Sequence, residues 1–209
     1  MSEGHLIISL GRQFGAGGRS VGKKLAEKLG IDYYDKELIS EAAREYGFAP
    51  EVFDQTDEKS TVVSGNVLQW MSSLVTGGFH SHNYLSQDSL FEMQSSVIRK
   101  LATEKSCVIL GRCSDYVLRD NPMCVSVFLH STIEDRATRI STRSQMSIEE
   151  AKNLMEVEDR RRAAYYNFYS NKTWGMASTY NLSVNVATLG EDGTVDFIVR
   201  YLKEAGYLK

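Results

Sequence analysis

The sequence predicts an α/β protein built on a five-stranded parallel sheet, and three observations carry that prediction. Short apolar runs alternate with segments of helical period from one end of the chain to the other. Two inner runs, Cys107-Val108-Ile109-Leu110 and Cys124-Val125-Ser126-Val127-Phe128-Leu129, are nearly continuous, the mark of strands covered on both faces. Each strand is separated from the next by at least one helix, which implies right-handed crossovers and parallel neighbours. The 209 residues suffice for one domain with a substantial core.

In chain order, Leu6 to Leu10 forms the first strand and runs into Gly11-Arg12-Gln13-Phe14-Gly15-Ala16-Gly17-Gly18-Arg19-Ser20. A helix follows at once, with Val21, Leu25 and Leu29 on one face and Lys23, Lys24 and Lys28 outside, until Gly30 stops it. Ile31 to Tyr34 reads as a second strand ending at Asp35. Lys36 to Tyr46 is a helix closed by Gly47, with Leu38, Ile39, Ala42 and Ala43 on its stripe. Residues 49–64 are polar and irregular. Val67, Leu68, Met71, Leu74 and Val75 predict a helix over 66–75, then a loop over 77–84 and a long helix over 87–104. The strand at 107–110 leads to Gly111-Arg112 and a helical turn at 115–118. After the strand at 124–129, Ser131-Thr132-Ile133-Glu134 and Ser147-Ile148-Glu149-Glu150 both read as capping boxes, opening a helix pair that extends to about 167. Leu182 to Val186 is the last strand, and Val195, Ile198, Val199 and Leu202 mark a C-terminal helix.

Composition narrows the function classes. The formal net charge of −3 gives no global basic field for a nucleic-acid polymer. No apolar run approaches the roughly 20 residues of a membrane span, and the N-terminus lacks the pattern of a signal peptide. The expectation is a cytoplasmic protein. Cys107, Cys113 and Cys124 have neither disulfide-framework nor zinc spacing. Cys107 and Cys124 read as buried thiols, Cys113 as a small pocket-lining residue. His80 and His82 read as a solvated loop pair rather than metal ligands.

Strand, glycine loop and helix form the geometry that cradles a phosphate. Glycine lets the backbone curl around an anion while the helix N-terminus points N–H groups and a positive dipole end at it. Gly11, Arg12, Gly15, Ala16, Gly17, Gly18, Arg19 and Ser20 are the candidate contacts. The spacing departs from G-x-x-x-x-G-K-[S/T]. Aligning Gly18-Arg19-Ser20 on its end puts the first glycine at Gln13, so Gly11 comes two places early and Arg19 stands for the lysine. The alternative is a glycine-rich turn that holds no ligand.

In a parallel sheet, ligands bind at the carboxyl ends of the strands. That edge collects the glycine loop, Asp35, Arg112 and His130-Ser131. Arg112 is a candidate anion contact, and Arg99, on the preceding helix, a candidate for the same pocket. Asp35 reads equally as a Mg²⁺ or acceptor contact and as a helix cap. Residues 136–162 carry Arg136, Arg139, Arg143, Arg160, Arg161 and Arg162 against the single Lys152. Seven acids balance these seven bases over 134–162, so a solvated, salt-bridged helix pair is one reading. The other is an arginine lid, since guanidinium forks suit phosphate oxygens and phosphoryl transfer needs positioned cations more than covalent chemistry.

Four segments together resemble the cytidylate-kinase-like proteins, a divergent branch of the P-loop nucleoside monophosphate kinases. They are Ile8 to Arg19, Tyr34-Asp35-Lys36, Val108 to Arg112, and Glu158-Asp159-Arg160-Arg161-Arg162. The similarity runs from about residue 5 to 203 in order. It implies a single three-layer P-loop kinase domain, with a core at about 1–40, 105–135 and 180–209. A helical acceptor-binding insert would occupy about 41–104 and an arginine-rich lid about 136–165. It also implies ATP and Mg²⁺ as donor and cofactor, and a small-molecule phosphoacceptor with CMP or dCMP as the default. By position, Gly15 to Ser20 would hold the ATP phosphates, with Ser20 and Asp35 toward the metal. Asp35, Arg99, Arg112 and Arg162 would face the acceptor, and Arg19, Arg136, Arg139 and Arg160 the transferring group. Cytidylate kinases carry an Arg-Asp…Asp pattern on the second lid helix; Arg162 stands about where the second Asp belongs, and Tyr165, Tyr166, Phe168 and Tyr169 follow. Trp70, Phe79 and Tyr84 of the insert are available to stack on a planar group. Two other readings stay open, a kinase for a different metabolite and a nucleotide-binding regulator without catalysis.

Overall fold

The computed structural model describes residues 4–45 and 87–208. Its strands are β1 (Ile7–Arg12), β2 (Asp32–Tyr34), β3 (Cys107–Leu110), β4 (Cys124–His130) and β5 (Leu182–Asn185). They form one sheet in the order β2-β3-β1-β4-β5, with every neighbouring pair parallel. The register sets Ile8 beside Val108 and Val125, and Leu10 beside Leu110 and Val127. The helices are α1 (Gly18–Leu29), α2 (Lys36–Glu45), α3 (Gln87–Glu104), α4 (Ser114–Val117), α5 (Ile133–Ser144), α6 (Ile148–Ser170) and α7 (Val186–Glu204).

Side chains alternate across a strand, so each strand feeds two cores. Ile8, Leu10, Val108, Val127 and Leu129 pack with Val21 and Leu25 of α1 and with Val195, Ile198 and Leu202 of α7. Ile7, Cys107 and Ile109 pack on the opposite face with Ile39 of α2, Phe91, Val97, Ile98 and Leu101 of α3, and Tyr166 of α6. Burial pushes the thiols of Cys107 and Cys124 up to about 12, so neither is a nucleophile at neutral pH. Ala137, Ile140, Ala151 and Met155 form a third, smaller core inside the α5–α6 hairpin, and Phe14 of the glycine loop packs against it.

The predicted layers, the five strands and the described helices are all present, with local corrections. The first box is shifted by one residue. Thr132, not Ser131, caps α5 by accepting from Asp135 N, while Ser131 Oγ donates to Asp135 Oδ2 at 2.6 Å. The second box, Ser147 with Glu150, forms as predicted. β5 ends one residue early, at Asn185, because the Asn185 side chain accepts from Ala187 N and opens α7 there. Gly190, at φ 67° and ψ 176°, breaks α7 after its first turn. The expected closure by Gly47, the helix over 66–75, the loop with His80 and His82, and Trp70, Phe79 and Tyr84 lie outside the described residues.

Candidate active site

β1 delivers the chain to the glycine loop at the centre of the sheet. Gly17, at φ 78°, caps α1 in the left-handed conformation and Gly18 is its first residue. A side chain at Gly15, at φ 81°, would meet Ile140 Cδ1 at 2.7 Å and the Arg136 carbonyl at 3.1 Å. The loop therefore lies directly against α5. Two hydrogen bonds lock that approach: Arg136 Nε donates to the Phe14 carbonyl at 2.8 Å, and Phe14 N donates to Asp159 Oδ1 at 2.7 Å. Arg136 closes the triangle by pairing with Asp159 Oδ2, with only 5% of the arginine exposed. Arg143 and Arg162 stand over the Phe14 ring, their guanidinium carbons 5.8 and 5.3 Å from its centroid.

A second group of charges surrounds the start of α1. Glu191, just past the Gly190 break, accepts from Ser20 Oγ at 2.5 Å and from Arg139 Nη1 at 2.5 Å, with Lys24 Nζ at 3.4 Å. Burial raises the carboxyl of Glu191, but the Ser20 hydrogen bond and the cations outweigh it and hold the group below its ordinary range. The buried Nε of Arg139 has no hydrogen-bond partner among the described residues. A Cβ at Gly17 would sit 3.1 Å from Glu191 and 3.2 Å from Arg139.

β3 ends in three successive left-handed residues: Gly111 (φ 77°), Arg112 (φ 61°) and Cys113 (φ 52°). Two non-glycine residues in that region cost roughly 1–3 kcal/mol each, a strain that clusters at functional sites. The turn brings Arg112 beside Arg12 and Arg162 in one pocket at the carboxyl ends of β1 and β3. Ser9 is on its floor, and Tyr165, Tyr166, Trp174 and Tyr180 are on its walls. Arg162 Nη1 also donates to the Arg12 carbonyl at 3.2 Å. Asp115, 8% exposed, lines the same pocket and accepts from Tyr166 OH at 2.6 Å, with Lys172 Nζ at 3.9 Å. Its burial outweighs those partners and pushes the carboxyl above its ordinary value.

The structure thus gathers Arg12, Arg112 and Arg162 in the pocket, with Gly11 on its wall, and places Arg139, Gly17 and Ser20 around Glu191. Ala16 and Gly18 are buried within the loop. Arg19 turns elsewhere: Nε lies 3.3 Å from Asp35 Oδ2 and Nη2 lies 2.8 Å from Glu37. Asp35 also accepts from Leu38 N at 3.3 Å, so it caps α2 while pairing with Arg19. Arg160 is exposed and pairs with Glu156. Arg99 lines a separate cleft with Arg119, Tyr116 and Phe168. Asp115 and Glu191 were missed at the level of sequence. Single acids inside a helical turn and past a strand end carry no spacing signal, and only the fold turns them toward the cations.

Two oxygens side by side, Ser20 Oγ and the Glu191 carboxylate, make a donor set suited to a hard cation. Among the described residues no group of three or more His, Cys, Asp or Glu forms a dedicated cage. A nucleotide-borne Mg²⁺ needs none, because phosphate and water supply most of its ligands. The glycine loop, the α1 N-terminus and the nearby guanidinium groups likewise suit a polyphosphate.

The parallel sheet with a glycine loop after its central strand has the fold of the P-loop kinases. The chain belongs to the cytidylate kinase-like family, whose model matches residues 7–188. The cytidylate kinase of Thermococcus kodakarensis is 24% identical over 197 residues, covering 92% of this chain and 86% of that protein. An uncharacterized protein from Eubacterium ventriosum is similar in structure, with a TM-score of 0.72 and 29% identity over 95% of this chain and 99% of that one. Shikimate kinase from Acinetobacter baumannii, solved with shikimate, shares the fold at a TM-score of 0.53 and 15% identity, over 98% of this chain and 96% of that one. Among the described residues, no helix is long and apolar enough to cross a membrane.

Proposed function

We propose that this chain transfers the γ-phosphoryl group of ATP to the phosphate of a pyrimidine nucleoside monophosphate, CMP or dCMP, releasing ADP and the nucleoside diphosphate. The carrying observation is the pocket itself. Arg12, Arg112 and Arg162 converge beside the glycine loop, next to the buried carboxylate of Asp115. Guanidinium groups bind phosphate through paired N–H donors, and a carboxylate accepts from an exocyclic amine. The family and the fold support the phosphoryl-transfer half of this reading.

In this reading the loop from Gly15 to Ser20 receives the donor phosphates, and Arg112 and Arg162 receive the acceptor phosphate. Arg139 stands at the mouth of the loop, and Arg136 positions the loop through the Phe14 carbonyl. Ser20 is the residue that would hold Mg²⁺, which when bound neutralises charge on the β- and γ-oxygens. The aromatic walls keep water from competing for the phosphoryl group. The setting is a soluble protein in the cytoplasm.

A second reading, a different phosphorylated or hydroxylated acceptor, is favoured by one observation. Two adjacent acids of the second hairpin helix are consumed: Asp159 by Arg136 and Phe14, Glu158 by Arg161 at 2.9 Å. Asp115 would then be the carboxylate that selects the acceptor. ATP consumption measured against a panel of nucleoside monophosphates and hydroxylated acids separates the two. A rise with CMP or dCMP is expected; a rise only with another acceptor overturns the pyrimidine assignment, and a flat profile throughout overturns the kinase reading.

A further inference from the structure

P-loops take their phosphate-directed charge from a lysine that opens the helix. Here Gly17 caps α1 and Gly18 is its first residue, so the position that opens the helix has no side chain. Arg19, one residue on, is turned to Asp35 and Glu37. The space above Gly18 is nevertheless filled. A Cβ built there would lie 2.7 Å from Cγ, 3.0 Å from Cβ and 3.4 Å from Cδ of Arg12. The stem of Arg12, leaving the last position of β1, runs through the place where a lysine at 18 would begin.

The same side chain continues across the sheet edge. A Cβ at Gly111 would collide with Arg12 Nη1 and lie 3.4 Å from Cζ. Gly111 also holds φ 77°, which strains any other residue. Two glycines, one opening α1 and one ending β3, thus clear a track for one arginine. Its guanidinium emerges in the pocket that holds Arg112 and Arg162, and Arg162 holds the Arg12 carbonyl.

We infer that Arg12 is the phosphate-binding cation of this loop, reaching over Gly18 to do from the strand end what a lysine elsewhere does from the helix. The assignment rests on the phosphotransferase reading of the site and names the residue that reading leaves open. It makes Gly18 a requirement of space, and Gly111 a requirement of space as well as of backbone conformation. It also explains why the glycine spacing is irregular: the basic residue has moved from the end of the motif to its beginning.

The test is titration of the full chain with Mg·ATP and, separately, with tripolyphosphate, each variant first checked by thermal melting. Arg12→Gln keeps the stem over Gly18 and removes the charge. It should weaken both ligands by about 10- to 100-fold, the scale of one charge-assisted hydrogen bond, with little change in melting temperature. Arg12→Lys should retain most of the affinity. The double variant Arg12→Ala/Gly18→Lys, which moves the charge to the helix, should recover much of the loss, a rescue that a merely structural arginine would not show. Lys28→Ala, at the far end of α1, controls for loss of a positive charge. If the wild-type chain binds both ligands and Arg12→Gln binds them equally well, the assignment falls and the phosphotransferase reading stands. If the wild-type chain binds neither, both fall.

Discussion

At the scale of single residues, Asp115 is the group whose cost to the fold points to use. A buried carboxylate is destabilising unless its surroundings fully compensate its charge, and here burial leaves the carboxyl above its ordinary value despite Tyr166 and Lys172. The folded chain therefore binds this proton more tightly than the unfolded chain, and the contribution of Asp115 to stability falls as pH rises from the ordinary carboxylate range through the raised folded value. Asp115→Asn removes that slope while keeping an oxygen for Tyr166. Denaturant melts across the acid-to-neutral range should show a flatter pH dependence and a variant at least as stable at pH 7. A loss of stability at neutral pH would show instead that the charge is compensated and structural. If Asp115 selects the acceptor, the same variant should lose acceptor-stimulated turnover while ATP binding stays intact.

At the scale of elements, the α5–α6 hairpin is fastened to the glycine loop rather than merely poised above it. The fastening is the triangle of Arg136, Asp159 and the Phe14 backbone, surrounded by Ile140, Ala151 and Met155. Removing one partner of a buried charge pair leaves the other uncompensated. Asp159→Ala should therefore cost about 3–5 kcal/mol, or about 6–20 °C in melting temperature for a chain of this length. It also frees Phe14 N, so loop order should suffer with stability. A melting temperature within a degree or two of wild type would mean that the hairpin holds the loop by packing alone. The arginines of this hairpin were readable in the sequence as either a solvated salt-bridged pair or a lid. The structure divides them: Arg160 takes the solvated role with Glu156, whereas Arg136, Arg139 and Arg162 turn inward to the loop.

At the scale of the whole molecule, the C-terminal helix reaches back to the first loop. Gly190 breaks α7 so that Glu191 lands on Ser20, 171 residues away in sequence, and on Arg139, 52 residues away. That carboxylate lies beside the helix end where the donor phosphates are expected. If it competes with them for Ser20 and Arg139, Glu191→Gln should tighten ATP binding by roughly fivefold, the effect of about 1 kcal/mol for a unit charge at 4 Å in a water-like dielectric. Calorimetric titration decides the sign. Weaker binding would make Glu191 part of the ligand set, alongside Ser20 at the metal.

Much of this molecule is legible in its sequence. The order of strands and helices, the buried character of β3 and β4, the box at Ser147 and the glycine loop all follow from local pattern, because period, caps and breakers act over a few residues. The convergence of Arg12, Arg112 and Arg162 was legible only in part: parallel strands bring their carboxyl ends to one edge, but which way a side chain turns there is a matter of tertiary neighbours. Arg19 shows the difference. Its place next to Ser20 made it the expected phosphate contact, yet the start of α2 supplies Asp35 and Glu37, and it turns to them. The sequence by itself determined the class of fold, the sheet edge at which the glycine loop and Arg112 come together, and the residue types found there. Only the tertiary structure decided which arginine lies over the start of α1 and which acids, Asp115 and Glu191, face the cations, because those choices depend on which side chains share a few ångströms of space at the sheet edge.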